Sequence, residues 1–428
     1  MPALESSQRG HDDGGRAVAT DTLKPPKPSR QRIDSIDLLR GIVMVIMMLD
    51  HTRDFVHYGA LRFDPLDLTQ TNTALFLTRW VTHFCAPVFV FLAGTGTYLQ
   101  FARGKQKNEL SRFLITRGLW LIVLEFTVVR LGAFFSFDPR FLALVQVIFV
   151  IGVSMIILAA LIHLPLKVIA AFGLLMIALH NLLDRYQVQP WRGPQSPVPS
   201  YGAKLWMLLH QQALFPIGGH FPSPVVFVLY PLIPWIGVMA AGYAFGALYK
   251  KDVHFRRRWL LIIGGAATLL FVVIRVIDKY GESLKWARQK NALFTVLSFL
   301  NTTKYPPSLL FLLMTLGPAI AALAWFEVLN RGPFSRFFIT FGRVPLFFYL
   351  LQWPTAHAIS ILLHLAFHKP VGWLFQTPIG WQNPPPTIGF NLAVVYAVWI
   401  AGVLVLYPLC KWYAGVKARR RDWWLSYL

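Results

Sequence analysis

Charge is scarce in this sequence. Only 14% of its 428 residues are Asp, Glu, Lys or Arg, where a soluble domain carries about 25%. That shortage excludes an ordinary water-soluble surface. Acidic groups are the scarcer kind, 19 against 41 Lys and Arg. Cysteine is nearly absent: Cys85 and Cys410 are the only two. Both fall in apolar runs expected near opposite faces of a membrane, so no disulfide is expected, and no metal-ligand spacing accompanies them. No HExxH zinc motif, nucleotide loop or Ser-His-Asp signature stands out, so no metal is expected either. Residues 1–33 have no apolar core segment. They read as a disordered cytoplasmic tail rather than a cleavable signal peptide.

What is present is hydrophobic, 55% of the chain, with 15% aromatic. A bilayer core of roughly 30 Å needs about 20 apolar residues as helix. Ten runs qualify, near 36–57, 79–101, 113–135, 141–163, 166–183, 225–249, 259–277, 306–329, 338–367 and 389–411. The expected fold is therefore all-α, a polytopic transmembrane helical bundle of ten spans, or eleven if 291–300 also crosses. The membrane domain would occupy 34–413 and a basic cytoplasmic tail 414–428.

The net charge of +22 would suggest nucleic acid in a soluble protein. Here the basic groups sit in short loops and tails, as the positive-inside rule expects. Arg30 and Arg32 precede the first span; Arg103, Lys105, Lys107 and Arg112 follow the second. Lys250, Lys251 and 256–258 follow the sixth, and Lys417 with 419–421 follow the last. With ten spans all four clusters share one face, which places both termini in the cytoplasm. Membrane lipid, not nucleic acid, is the partner this implies. Lys279, Lys285, Arg288, Lys290 and Lys304 break the pattern by falling outside. A re-entrant or interfacial segment at 291–300 reconciles them.

Two long outer segments are candidates for binding. Residues 184–224 hold Trp191, Trp206, His210, His220 and seven prolines, and 368–388 hold Trp373, Trp381 and three consecutive prolines from Pro384. An interfacial aromatic belt explains them first, a substrate platform second.

The chemistry concentrates in the first span, SIDLLRGIVMVIMMLDHTRDF (35–55). Arg40 and His51 are eleven residues apart, almost three helical turns, so they share a face about 16 Å apart along the axis. Met44 and Met47 lie between them, and Asp37 and Asp54 flank the same stripe. Ionisable groups inside a span are costly and face a bundle interior or a wet cavity. Histidine suits proton transfer near neutral pH. Asp54, one turn on, is placed to orient its ring, while Asp50 falls on another face; the three together are the candidate catalytic residues.

At these residues a resemblance emerges. Arg-x10-His on a first span is similar to the motif of membrane acyltransferase family 3. The stretch 35–55, with THFCAPVFVFLAGTGTYL (82–99), more closely resembles bacterial members of the heparan-α-glucosaminide N-acetyltransferase catalytic-domain family. TTKYPPSLLFLLMTLG (302–317) and FGRVPLFFYLLQW (341–353) look like the same group. The resemblance implies a bacterial inner-membrane protein that takes acetyl from cytoplasmic acetyl-CoA and passes it, through an intramembrane histidine, to a carbohydrate outside. His51 carries over as the catalytic histidine and Arg40 as the cytoplasmic arginine. The mammalian-type enzymes have asparagine where Asp50 stands, and their histidine falls nearer His57 in a loose alignment. His51 is favoured over His57.

Other buried polar residues divide between packing and function. His83 lies beside Pro87 and the small-residue run 93–96, which suits close helix contact; it is equally a candidate substrate-binding residue, as are His57 and His357. Glu125 and Arg130 are five apart and each is expected to pair across helices. Arg343 suits CoA phosphate, because arginine makes bidentate contacts with phosphate. Lys304 suits CoA or an acidic acceptor. His357 and His364, seven apart on one face, are candidates for an outer cavity. The rival reading is a proton-coupled secondary transporter or flippase, which also uses buried Asp, His, Arg and Glu. No internal repeat supports it.

Overall fold

The computed structural model describes residues 33–60, 62–329, 332–379, 385, 387–420 and 422–428. The expectations for the N-terminal tail, for Trp381, Pro384 and Pro386, and for Arg421 lie outside these residues. Helix α1 (Asp34–Val56) opens the described chain. Then come α2 (Thr73–Val81), α3 (Cys85–Ala102), α4 (Lys107–Leu124), α5 (Arg130–Phe134), strand β1 (Phe141–Val145), α6 (Val147–Leu161) and α7 (Leu166–Leu179). After α8 (Tyr201–His210), β2 (Ala213–Pro216) and β3 (Val225–Val228) come α9 (Trp235–Phe245), α10 (Val253–Ile277), α11 (Ala292–Leu300) and α12 (Leu309–Phe326). The last helices are α13 (Pro333–Arg343), α14 (Pro345–Ala366) and α15 (Leu392–Arg419).

Among the described residues six helices are long and apolar enough to cross a membrane: Thr73–Ala102, Leu166–Arg185, Val253–Ile277, Leu309–Phe326, Pro345–Ala366 and Leu392–Arg419. All six match expected spans. The other four differ for physical reasons. Helix α1 is 23 residues long but carries too many charges to count as apolar. The third runs on through a π-helical turn, Glu125–Val129, into α5. The fourth and sixth are cut short because their first residues are strands, leaving α6 with 15 residues and α9 with 11.

The expected all-α class is thus corrected by a small sheet, in the order β1-β3-β2. Strand β1 pairs parallel with β3 and β2 pairs antiparallel with it. A short apolar run such as FLALV has no periodicity that separates strand from helix. The sheet buries Val145, Val225 and Val228 against Trp191 and Met207. The outer segment 184–224 therefore folds back as packed structure, and Trp191 is core rather than belt. At the C-terminus α15 continues to Arg419, past the expected domain boundary, and Tyr427 shares a hydrogen bond with Thr116 on α4. Helix α11 has nine residues, too few to cross. Its end is tied down by buried Arg275, which donates to the carbonyls of Leu284, Ser298, Phe299 and Asn301.

Helix α1 is the hub, packed against α3, α12, α13, α14 and α15. Its closest neighbour is α13. A Cβ on Gly41 would overlap the Phe338 carbonyl, and one on Gly342 would overlap the Asp37 carbonyl. Glycine at both positions lets the two backbones touch, as small residues do between membrane helices. On α15, Trp399 Nε1 donates to Val45 O at 2.8 Å, and Met48 fills the space over Gly402. Cys85 and Cys410 are both free and buried.

Candidate active site

Helix α1 and α14 run in the same direction. The His51 ring stacks on Trp353, centroids 3.7 Å apart, and one turn further Phe55 stacks on His357 at 4.5 Å. This register puts the start of α14 beside Val43, and the preceding end of α13 reaches the first turns of α1, where Gly342 touches Asp37. There Arg343 reaches Asp34 at 3.5 Å. Arg40 donates to Asp37 at 3.2 Å and to Gly342 O at 3.5 Å. Arg40 and Arg343, expected together, do meet at one end of α1. Half-buried Arg117 on α4 lies close enough to Arg40 to interact with it electrostatically. The C-terminal part of α15 reaches the same end, with Tyr413 stacked on Phe347 at 4.4 Å.

The other end of α1 holds a buried ion cluster. The Asp50 carboxylate takes Arg79 at 2.5 Å, Arg53 at 3.0 Å and Lys304 at 4.0 Å. Arg53 also pairs with Asp54 at 2.5 Å. Three cations meet two carboxylates, so one positive charge is in excess. Asp50, one residue and about 100° of helix before His51, is still near enough to act on its ring electrostatically. Asp54 does not meet the His51 ring; its partner is Arg53, which points the other way round the helix. His51 is instead fixed by the Trp353 face, and its Nδ1 is buried without a hydrogen-bond partner among the described residues.

Lys304, expected to serve CoA or an acidic acceptor, belongs to this end and stands apart from Arg40 and Arg343. Its ammonium lies over the rings of Tyr305 and Tyr230, at 5.3 and 5.9 Å. Tyr305 sits next to Arg79. Burial alone would raise the Tyr305 phenol, but Lys304 and Arg79 beside it bring it below its ordinary value. The segment that presents these groups is clamped by buried Glu282. Its carboxylate accepts from Thr303 N at 2.9 Å, Thr303 Oγ1 at 2.5 Å and Ser308 Oγ at 2.6 Å.

The histidines separate. His83, in the 3-10 turn that joins α2 to α3, is fully buried, 5.1 Å from the Phe311 ring, with neither ring nitrogen partnered among the described residues. Asp50, Arg79 and Lys304 are all near enough to act on it electrostatically, so it joins the cluster. His357 is a packing residue, stacked between Phe55 and Phe135. His364 receives a hydrogen bond from Gly389 N at 3.1 Å. His57 lies past the end of α1, where its Nδ1 accepts from Gly59 N at 3.1 Å and its backbone bridges to Phe390. Neither His57 nor His357 stands with Lys304. Glu125 accepts from Phe149 N on α6 at 3.1 Å and meets the Gln146 side chain, while Arg130 donates to the carbonyls of Ser136, Asp138 and Phe141.

Beyond 302–308 lies a cavity of about 410 Å³. Thr303, Tyr305, Pro306 and Ser308 form its inner wall, and Asn181, Asp184, His210, Gln211 and Ser283 are among the residues opposite. Tyr305 therefore borders both the ion cluster and a polar cavity.

The family model for "heparan-alpha-glucosaminide N-acetyltransferase, catalytic" matches residues 32–275. The chain belongs to that family. It is a multi-pass membrane acetyltransferase. No curated protein matches the chain. The match contains α1, His83 and Arg79 but ends before Lys304, Tyr305, Arg343 and Trp353. The candidate site described above thus draws on residues inside and beyond the matched segment. Arg53, Arg79, Glu282 and Tyr305 escaped the sequence reading. A signal existed for Arg53: it lies inside the expected first span, two residues after His51, where a lone cation would be costly.

Proposed function

We propose that this acetyltransferase moves an acetyl group from cytoplasmic acetyl-CoA to a sugar hydroxyl or amine on the outer face of a bacterial cytoplasmic membrane, with His51 as the central group. The observation that carries the reading is the layout of α1, with arginines at one end and His51 and a buried cationic cluster at the other. Arg40 and Arg343 suit the CoA phosphates, since guanidinium groups bind phosphate bidentately. The thioester then lies along Met44 and Met47 toward His51.

With His51 as general base, the acceptor oxygen or nitrogen attacks the thioester carbon, the carbon–sulfur bond breaks, and His51 takes the acceptor's proton and passes it to the CoA thiolate. With His51 as transient carrier, its ring nitrogen attacks the thioester carbon and expels the CoA thiolate, and the acceptor then attacks the acetyl group, breaking its bond to the imidazole and giving its proton to the thiolate. The charge developing on the carbonyl oxygen would be met by the excess positive charge of Arg79 and Lys304, the kind of fixed electrostatic stabilisation that lowers acyl-transfer barriers. His51 Nδ1, both ring nitrogens of His83 and both amide atoms of Gln352, all buried and without a hydrogen-bond partner among the described residues, suit a polar substrate. Buried polar groups are otherwise hydrogen-bonded. The cavity beyond Tyr305, lined by amides and hydroxyls, suits a sugar.

Arg40→Ala should weaken acetyl-CoA binding at least tenfold while leaving the detergent-purified protein folded. Unchanged affinity would remove this end of α1 from the donor site.

A further inference from the structure

The wall of the cavity opposite Tyr305 contains a grouping that the acetyl-transfer reading does not use. His180 and Asp184 lie on the 3-10 turn that ends α7, and His210 is the last residue of α8. One ligand atom from each lies within 4.8 Å of the other two. His210 Nε2 is 3.0 Å from Asp184 Oδ1. His180 is 3% exposed, and both its ring nitrogens are buried with no hydrogen-bond partner among the described residues. An imidazole in that state lacks the satisfaction that buried polar groups normally have. We propose that His180, Asp184 and His210 form a binding site for one divalent cation of the zinc class, with an open position facing the cavity.

The chemistry of the set supports this. Two imidazoles and one carboxylate form a zinc ligand set that leaves a fourth position for water or substrate. Bonds of about 2.1 Å place tetrahedral donors roughly 3.4 Å apart. The Asp184–His210 pair already has nearly that spacing, and a modest side-chain rotation of His180 closes the rest. The carboxylate is also braced as metal ligands are. Its other oxygen accepts from Asn181 Nδ2 at 2.8 Å and Ser283 Oγ at 3.1 Å, the outer contacts that orient a ligand and sharpen affinity. Asn181 in turn accepts from Leu309 N at 2.9 Å, which ties the set to α12. Asp184 and His210 line the cavity. A cation there would offer its open position to a hydroxyl of the acceptor. That role rests on the acetyl-transfer reading; cation binding itself does not.

The test uses the full chain in detergent, stripped with chelator and then titrated with Zn²⁺ or Co²⁺, with no turnover required. One equivalent should bind, and Co²⁺ should give the intense visible bands of tetrahedral coordination. His180→Ala should abolish binding, and Asn181→Ala should weaken it at least tenfold through Asp184. His210→Cys should add a near-ultraviolet thiolate-to-cobalt band, which reports location without loss of a ligand. His163→Ala, away from the set, should bind as wild type. Wild-type protein with no stoichiometric Zn²⁺ and no cobalt bands overturns the proposal. So does binding that survives His180→Ala unchanged while His210→Cys gives no new band. Metal binding without acetyl transfer would leave this site standing and remove the functional reading instead.

Discussion

Replacing Asp50 by asparagine keeps the shape and removes the charge on which three cations converge. In the wild type Arg53, Arg79 and Lys304 face Asp50 and Asp54, and all but Asp54 are largely buried. Asp50→Asn leaves three cations against one carboxylate. Removing one partner of a buried ion pair costs about 3–5 kcal/mol, because the other charge stays buried. Three contacts do not triple that figure, since neighbouring interactions are not additive. At 4 Å and an effective dielectric of 20, a pair of unit charges interacts by about 4 kcal/mol before desolvation is subtracted. Lys304 at 4.0 Å from Asp50 is therefore stabilising in the wild type and destabilising in the variant. Lys304→Met alone should lower stability, yet added to Asp50→Asn it should restore about 1–2 kcal/mol of the 3–5 lost, a coupling typical of one charge network. Equilibrium unfolding in mixed micelles with increasing SDS, followed by tryptophan fluorescence, reads all four proteins. A loss under about 1 kcal/mol for Asp50→Asn, or no rescue by Lys304→Met, would refute the view that Asp50 organises the cluster.

Two further outcomes follow from packing. Gly342→Ala forces a Cβ onto the Asp37 carbonyl, so it should cost about 1–3 kcal/mol as overpacking does and weaken acetyl-CoA binding by moving Arg343; unfolding and binding measurements check both. Glu282→Gln removes the charge that holds Thr303 and Ser308, so the turnover number should fall at least tenfold while acetyl-CoA affinity, set at the far end of α1, stays within twofold.

The sequence was most legible where one residue carries an unmistakable cost. Ionisable residues within an apolar run pointed to α1, and helical spacing placed Arg40 and His51 three turns apart. The six long apolar helices were visible for the same reason. The misplacements have physical causes. The short apolar stretches at 141–145 and 225–228 fit strand as well as helix, and only pairing in three dimensions decides between them. Asp54 stands at the right spacing to reach His51, but Arg53 next to it is the stronger partner. Lys304 lies 254 positions along the chain from Asp50, and no local pattern announces that contact. The cation set at His180, Asp184 and His210 was missed because α8 brings His210 back across a segment that read as a loop.

The central claim is that His51 serves acetyl transfer. Purified protein incubated with radiolabelled acetyl-CoA and a crude glycan acceptor, wild type beside His51→Ala, tests it most directly. The account predicts thioester consumption and labelled glycan with wild type, and loss of both with the variant while acetyl-CoA binding persists. Equal turnover by the two proteins would contradict it.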